Sequence, residues 1–143
     1  MIRATGLSHD AEGAADRVSL DYEGRLVRRR RLVTDGGRAV MVDLPRATDL
    51  TDHALELEDG TRVAVEAAPE AVLVVTGPLA RLAWHVGNRH APCRIEADRL
   101  IVRDDPVMRA MLEGLGATCE AATLPFRPEG GAYGHGRTMG HSH

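Results

Sequence analysis

Imidazoles are the chemically capable groups this sequence offers in quantity, and their placement is uneven. His90 closes the run Trp84-His85-Val86-Gly87-Asn88-Arg89-His90, where an apolar helical pattern gives way to Pro92. His135, His141 and His143 lie in a Gly-rich C-terminal stretch that begins Pro125-Phe126-Arg127-Pro128-Glu129-Gly130-Gly131. Neutral imidazole is a borderline-soft donor and a common ligand for nickel, zinc and copper. A histidine fixed at a helix end, joined by histidines on a flexible tail, can hold a transition-metal ion loosely. The pattern is that of a metal carrier, not of an enzyme.

One histidine holds a divalent ion poorly, but a twofold axis through the site doubles the donors. Asn88-Arg89-His90 serves equally well as a plain helix cap, and spacing alone leaves both readings open. His85 lies five residues before His90, too far round a helix to share its face neatly. His9 and His53 stand isolated among polar residues, and no role is assigned to them. Cys93 sits three residues beyond His90, yet its apolar neighbours suit a buried thiol better than a ligand. The two cysteines form no Cys-x-x-Cys pair, which argues against a closed structural zinc site.

The elements that must place these groups fall into two rhythms. Up to residue 68 the chain reads as short alternating strands. Val18–Tyr22, Leu32–Thr34, Ala39–Leu44, His53–Leu57 and Arg62–Glu66 are the apolar-polar runs, with Pro45 as a stop after the third. Glu58-Asp59-Gly60 between two such runs is a hairpin signal. Residues 8–16 are polar and read as a loop. Arg28-Arg29-Arg30-Arg31, alternating in a strand, places two arginines on each face and charges a sheet edge against aggregation.

From residue 69 the pattern changes. Ala71–Val75 is a continuous apolar run, fit for a strand buried on both faces. Pro78 then opens a helix carrying Leu79, Leu82, Ala83 and Val86 at helical spacing. Two strands follow, at Cys93–Glu96 and Leu100–Val102. Asp104-Asp105-Pro106 starts a second helix with Val107, Met108, Met111, Leu112 and Leu115 on its apolar face, and Gly116 stops it. Ala117–Ala121 is the last strand. The fold class is therefore α+β in two domains. Residues 1–68 form a small all-β barrel or sandwich-like domain. Residues 69–124 form a ferredoxin-like βαββαβ domain, and residues 125–143 form a flexible Gly/His tail.

Composition narrows the function classes. The 143 residues contain 18 basic side chains, all arginine, against 21 acidic ones, a net charge of −3 that disfavours a dedicated nucleic-acid binder. Aromatics make up only 3% of the chain, so each core must be built from small aliphatics, and pairing of subunits is a common remedy. No secretion signal and no apolar run of membrane-spanning length is visible, so a cytoplasmic protein is expected. Phosphate loops, nucleophile elbows and metalloprotease motifs are lacking too. A hydrolase built on His85, His90 and Cys93 has no oriented third group.

Several motifs, in order, resemble one family. Leu44-Pro45-Arg46-Ala47-Thr48, Val65–Glu70, Gly87-Asn88-Arg89-His90-Ala91-Pro92, Leu115-Gly116-Ala117, Leu124-Pro125-Phe126 and Pro128–Gly136 are similar to those of the urease accessory protein UreE family. The resemblance implies a homodimeric nickel chaperone that serves assembly of the urease active site together with other urease accessory proteins and the urease apoprotein. It implies a peptide-binding-like first domain, a metal-binding and dimerisation second domain, and His90 as the shared ligand facing its copy across the interface. His135, His141 and His143 then add ligands from the tail. Nickel is cargo, for which zinc and copper compete, copper binding more tightly. This chain departs from many relatives in having three spaced tail histidines where they carry long runs. It also has Asp104-Asp105-Pro106 where some carry extra histidines. The rival reading is a protein-interaction adaptor whose histidines are incidental.

Overall fold

The structure is a computed structural model and describes residues 1–130. The chain divides into two compact units, one spanning Met1–Ala68 and the other beginning at Pro69. Each has its own apolar core.

The first unit is a curled six-stranded sheet. Its strands are β1 (Ile2–Ser8), β2 (Asp16–Leu20), β3 (Leu26–Val33), β4 (Ala39–Asp49), β5 (Ala54–Leu57) and β6 (Arg62–Ala67), in the order β2-β6-β5-β1-β4-β3. Alternation drives it. Val40, Val42 and Leu44 of β4 turn inward with Val63 and Val65 of β6, while the residues between them stay closer to solvent. The β5–β6 hairpin forms as the Asp59-Gly60 signal requires, pairing Leu55 with Val63, and Gly60 takes the left-handed φ of 84°.

Three features differ from the sequence reading. The N-terminus supplies a central strand, β1, with Ala4 fully buried between β4 and β5. Pro45 does not end β4, which runs on to Asp49. The β3–β4 register shifts between Val27 and Arg29, and Pro45 falls in that irregular stretch, where a missing N–H leaves no ladder bond unmade. The same shift breaks the alternation of β3, so all four arginines from Arg28 to Arg31 are exposed instead of being split between faces. β3 is indeed an edge strand, and Arg29 lies 3.5 Å from Asp43.

Asp16 pins the start of β2. Its carboxylate accepts hydrogen bonds from the Thr34 hydroxyl and from the backbone N–H groups of Arg17 (2.8 Å) and Gly36 (3.0 Å). The Thr34 bond first, then the Arg17 amide, hold this carboxyl below its usual range. A folded-state pKa below the unfolded one gives stability that is present above the ordinary carboxylate range and lost as pH falls through it. Melting temperature followed over roughly pH 3–6 should therefore fall less steeply in Asp16→Asn than in the parent. Identical slopes would remove Asp16 from this account.

The second unit is the ferredoxin-like arrangement. β7 (Pro69–Thr76), α1 (Leu79–Asn88), β8 (Cys93–Ile95), β9 (Leu100–Arg103), α2 (Pro106–Gly114) and β10 (Thr118–Pro125) follow in sequence. The sheet order is β10-β7-β9-β8, with every neighbouring pair antiparallel. Leu82 and Val86 of α1 and Met108 and Leu112 of α2 pack on Leu73, Val75, Leu100 and Val102. Asp105 caps α2, its side chain accepting from the Met108 amide at 2.8 Å, with Pro106 in the first turn. Val107, assigned to the apolar face of α2, is instead 59% exposed.

The last strand is longer than expected, and residues 126–130 do not behave as the beginning of a loose tail. Phe126 is fully buried, the Glu129 amide donates to the Cys93 carbonyl at 2.9 Å, and Arg94 donates to the Arg127 carbonyl at 3.2 Å. An aromatic ring, one backbone bond and one bond from the Arg94 guanidinium thus tie this segment down, despite its Pro/Gly composition.

Candidate metal centre

His90 sits at the point where α1 ends and the chain turns toward β8. Arg89 is the last residue of the turn, with φ −89° and ψ 2°, and His90 follows with φ 56°. The His90 amide donates to the Gly87 carbonyl at 2.9 Å, and the Ala91 amide donates to the Val86 carbonyl at 3.3 Å. Those two bonds together make the Schellman helix ending, which needs a left-handed residue at the position His90 occupies. Ala91 packs against the apolar core to which Val86 belongs, in keeping with the apolar contact that often accompanies this motif. β8 begins at Cys93, pairing with Val102, so His90 is clamped between a helix end and a strand.

α2 ends by the same motif. The Gly116 amide donates to the Glu113 carbonyl at 3.1 Å and the Ala117 amide to the Leu112 carbonyl at 3.0 Å. There the left-handed residue is glycine, with φ 96°. One domain thus closes its two helices identically, with the cheap residue at one end and a histidine at the other. A left-handed L-residue costs about 1 kcal/mol or somewhat more, so the exception points to use.

His90 is exposed, and so is its surface around the last turn of α1 at Gly87, Asn88 and Arg89. The helix C-terminus adds the negative end of a macrodipole, which favours a cation nearby. Trp84, on the outer face of α1, is 64% exposed and meets the half-buried His85 ring edge-on at 4.9 Å between centroids. Sequence reading noted Trp84 only as a neighbour; its solvent position between inward Leu82 and Val86 was already implied by helical spacing.

Cys93 is half-buried against the core. Burial, and secondarily the Glu129 carboxylate, push its thiol up to about 11. At neutral pH it is therefore a protonated thiol, a poor nucleophile and a poor donor. Alkylation by iodoacetamide at pH 8 should be far slower than for a small free thiol, and labelling at the free-thiol rate would contradict that burial.

Among the described residues, no three His, Cys, Asp or Glu side chains gather into a metal-sized group. His135, His141 and His143 lie outside the described residues.

Comparison with known proteins decides the family. Residues 2–68 match the UreE urease accessory protein N-terminal domain, and residues 70–143 match its C-terminal domain. The chain belongs to the UreE family. It is 60% identical to the urease accessory protein UreE of Rhodobacter capsulatus over 132 residues, covering 92% of this chain and 85% of that one. Identity to the UreE of Paracoccus denitrificans is 65% over 122 residues, 85% of this chain and 79% of the relative. To the UreE of Ruegeria pomeroyi it is 52% over 145 residues, 99% and 95% of the two chains. The UreE match thus spans both structural units, and the ferredoxin-like unit that carries His90 is the UreE C-terminal domain. Among the described residues no helix is long and apolar enough to cross a membrane.

Proposed function

We propose that this chain is a nickel metallochaperone of the cytoplasm that delivers Ni(II) for assembly of the urease active site and performs no catalysis itself. One observation carries the reading. His90 holds a left-handed helix-ending position where the sister helix uses Gly116, so an exposed imidazole is kept at a backbone cost.

Two copies of His90 from paired subunits converge on one ion in this reading. The exposed Trp84 on the same helix supports a homodimer interface there, since large exposed aromatics are favoured at interface cores. His135, His141 and His143 add donors from the C-terminal segment. The second unit, residues 69–124, is the metal-binding and dimerisation domain. The first, residues 1–68, receives a polypeptide among the partners, which are the other urease accessory proteins and the urease apoprotein.

The chemistry suits a carrier. Rigid clamping of His90 between α1 and β8 fixes one donor per subunit and sets the geometry. Donors on the C-terminal segment leave first, so the ion can be passed on without dismantling the pair. Zn(II) and Cu(II) compete for imidazole, Cu(II) more strongly than nickel. Protons compete as well, because a ligating imidazole must be neutral, so nickel is released more readily as pH falls below neutrality.

Isothermal titration with nickel, run on the parent and on His90→Ala, tests the reading. The parent should take up one tightly held ion per dimer, and the variant should lose that event while remaining folded. Unchanged affinity and stoichiometry in the variant would contradict it.

A further inference from the structure

A second pair of imidazoles meets far from His90 in the sequence, in the first unit. β1 and β5 pair antiparallel, their ladder ends with Ser8 opposite Ala54, and His9 and His53 are the residues just beyond that end. Their rings do meet, with centroids 4.6 Å apart and planes inclined at 46°. His9 is exposed and His53 half-buried, so the pair opens to solvent.

We propose that His9 and His53 form a second, weaker site for a borderline divalent transition-metal ion such as Ni(II) or Cu(II), with water completing the coordination. Three features carry this. Two imidazoles that ligate one ion at about 2.0–2.1 Å from adjacent coordination positions have ring centres roughly 4.5 Å apart, which is the separation found. His53 is also oriented as metal-binding histidines are. Its Nδ1 lies 2.8 Å from the Thr51 carbonyl oxygen, which can only accept, so Nδ1 carries the proton and Nε2 the lone pair. That carbonyl is in turn held in place. The Thr51 amide and hydroxyl both donate to the Asp49 carboxylate, at 2.8 and 2.5 Å, and the hydroxyl accepts from buried Arg25 at 2.9 Å. The backbone of His53 is pinned on both sides, its amide to Leu50 and its carbonyl to Val65. Such outer support is what fixes ring and tautomer in metal sites.

The site stands independently of the reading of His90, since it lies in the other unit and shares no residue with it. With two protein donors and an open face it binds loosely and exchanges quickly, as a transient store in a protein that carries ions.

Titration of the full-length protein with nickel chloride, and separately with copper(II) chloride, tests the proposal. His9→Phe and His53→Phe keep an aromatic contact but remove the donors. Each should lower the weaker class of binding by one ion per chain, or weaken it at least about tenfold, while the tight event remains. His90→Ala should do the reverse. A pair that merely packs would leave ion count and affinity unchanged in both phenylalanine variants, and that result would overturn the site whatever the fate of His90.

Discussion

His90→Gly is expected to make the protein more stable and unable to hold nickel tightly. The two effects have one origin. At φ 56° a histidine pays for its side chain in backbone strain that glycine does not feel. Relief should raise the unfolding free energy of the second unit by about 1 kcal/mol, and hence its melting temperature by several degrees. Loss of the imidazole from both subunits should weaken nickel binding by more than about 100-fold, beyond what removal of a supporting contact gives. Gly116→His is the mirror experiment at the end of α2, where the same helix ending is built on glycine. It should cost about 1 kcal/mol and confer no compensating tight nickel event. Denaturant melts paired with nickel titration read both quantities. A destabilised His90→Gly would mean that the ring is there for packing.

Arg25→Ala should cause the largest loss of stability outside the aliphatic cores. Arg25 is fully buried, its Nε donating to the Thr51 hydroxyl at 2.9 Å and its Nη1 to the Leu20 carbonyl at 2.9 Å. Its own carbonyl accepts from Leu50 at 2.8 Å, so backbone and side chain together join the end of β2 to the turn after β4. Truncation takes one partner from the Leu20 carbonyl, which keeps the Ala68 amide, and one from the half-buried Thr51 hydroxyl, which keeps Asp49, and it leaves a large void. The expected cost is about 3–5 kcal/mol, felt by the first unit. Lysine should restore little of it, because a single ammonium cannot reproduce the guanidinium fork. Chemical denaturation would settle the point, and a cost under about 1 kcal/mol would show that the guanidinium is dispensable. Because the same network orients His53, Arg25→Ala should also loosen the second metal site.

How much of this was legible before the structure depends on whether the signal was local. The second unit could be read because its punctuation is local: Pro78, Asp105-Pro106 and Gly116 each act within a turn of where they stand. The hairpin at Asp59-Gly60 is legible for the same reason. β1 was invisible because Ile2-Arg3-Ala4-Thr5-Gly6 is small and weakly apolar, and Ala4 is buried only by the strands on either side. Pro45 misled because a shifted register, set by the partner strand, decided whether its missing N–H mattered. Phe126 and Glu129 show a Pro/Gly-rich segment held by contacts that composition does not encode. His90 was marked by its motif, but its left-handed backbone emerges only from the completed helix ending. His9 and His53 stand 44 positions apart, and it is the pairing of β1 with β5, ending at Ser8 opposite Ala54, that brings their segments together.

The most direct measurement is the anomalous scattering of a nickel-loaded crystal recorded at the nickel absorption edge. A strong peak on a twofold axis, about 2.1 Å from one ring nitrogen of His90 in each of two subunits, is the result expected. A principal nickel peak lying elsewhere, with the two His90 rings apart and unligated, would contradict the account at its centre.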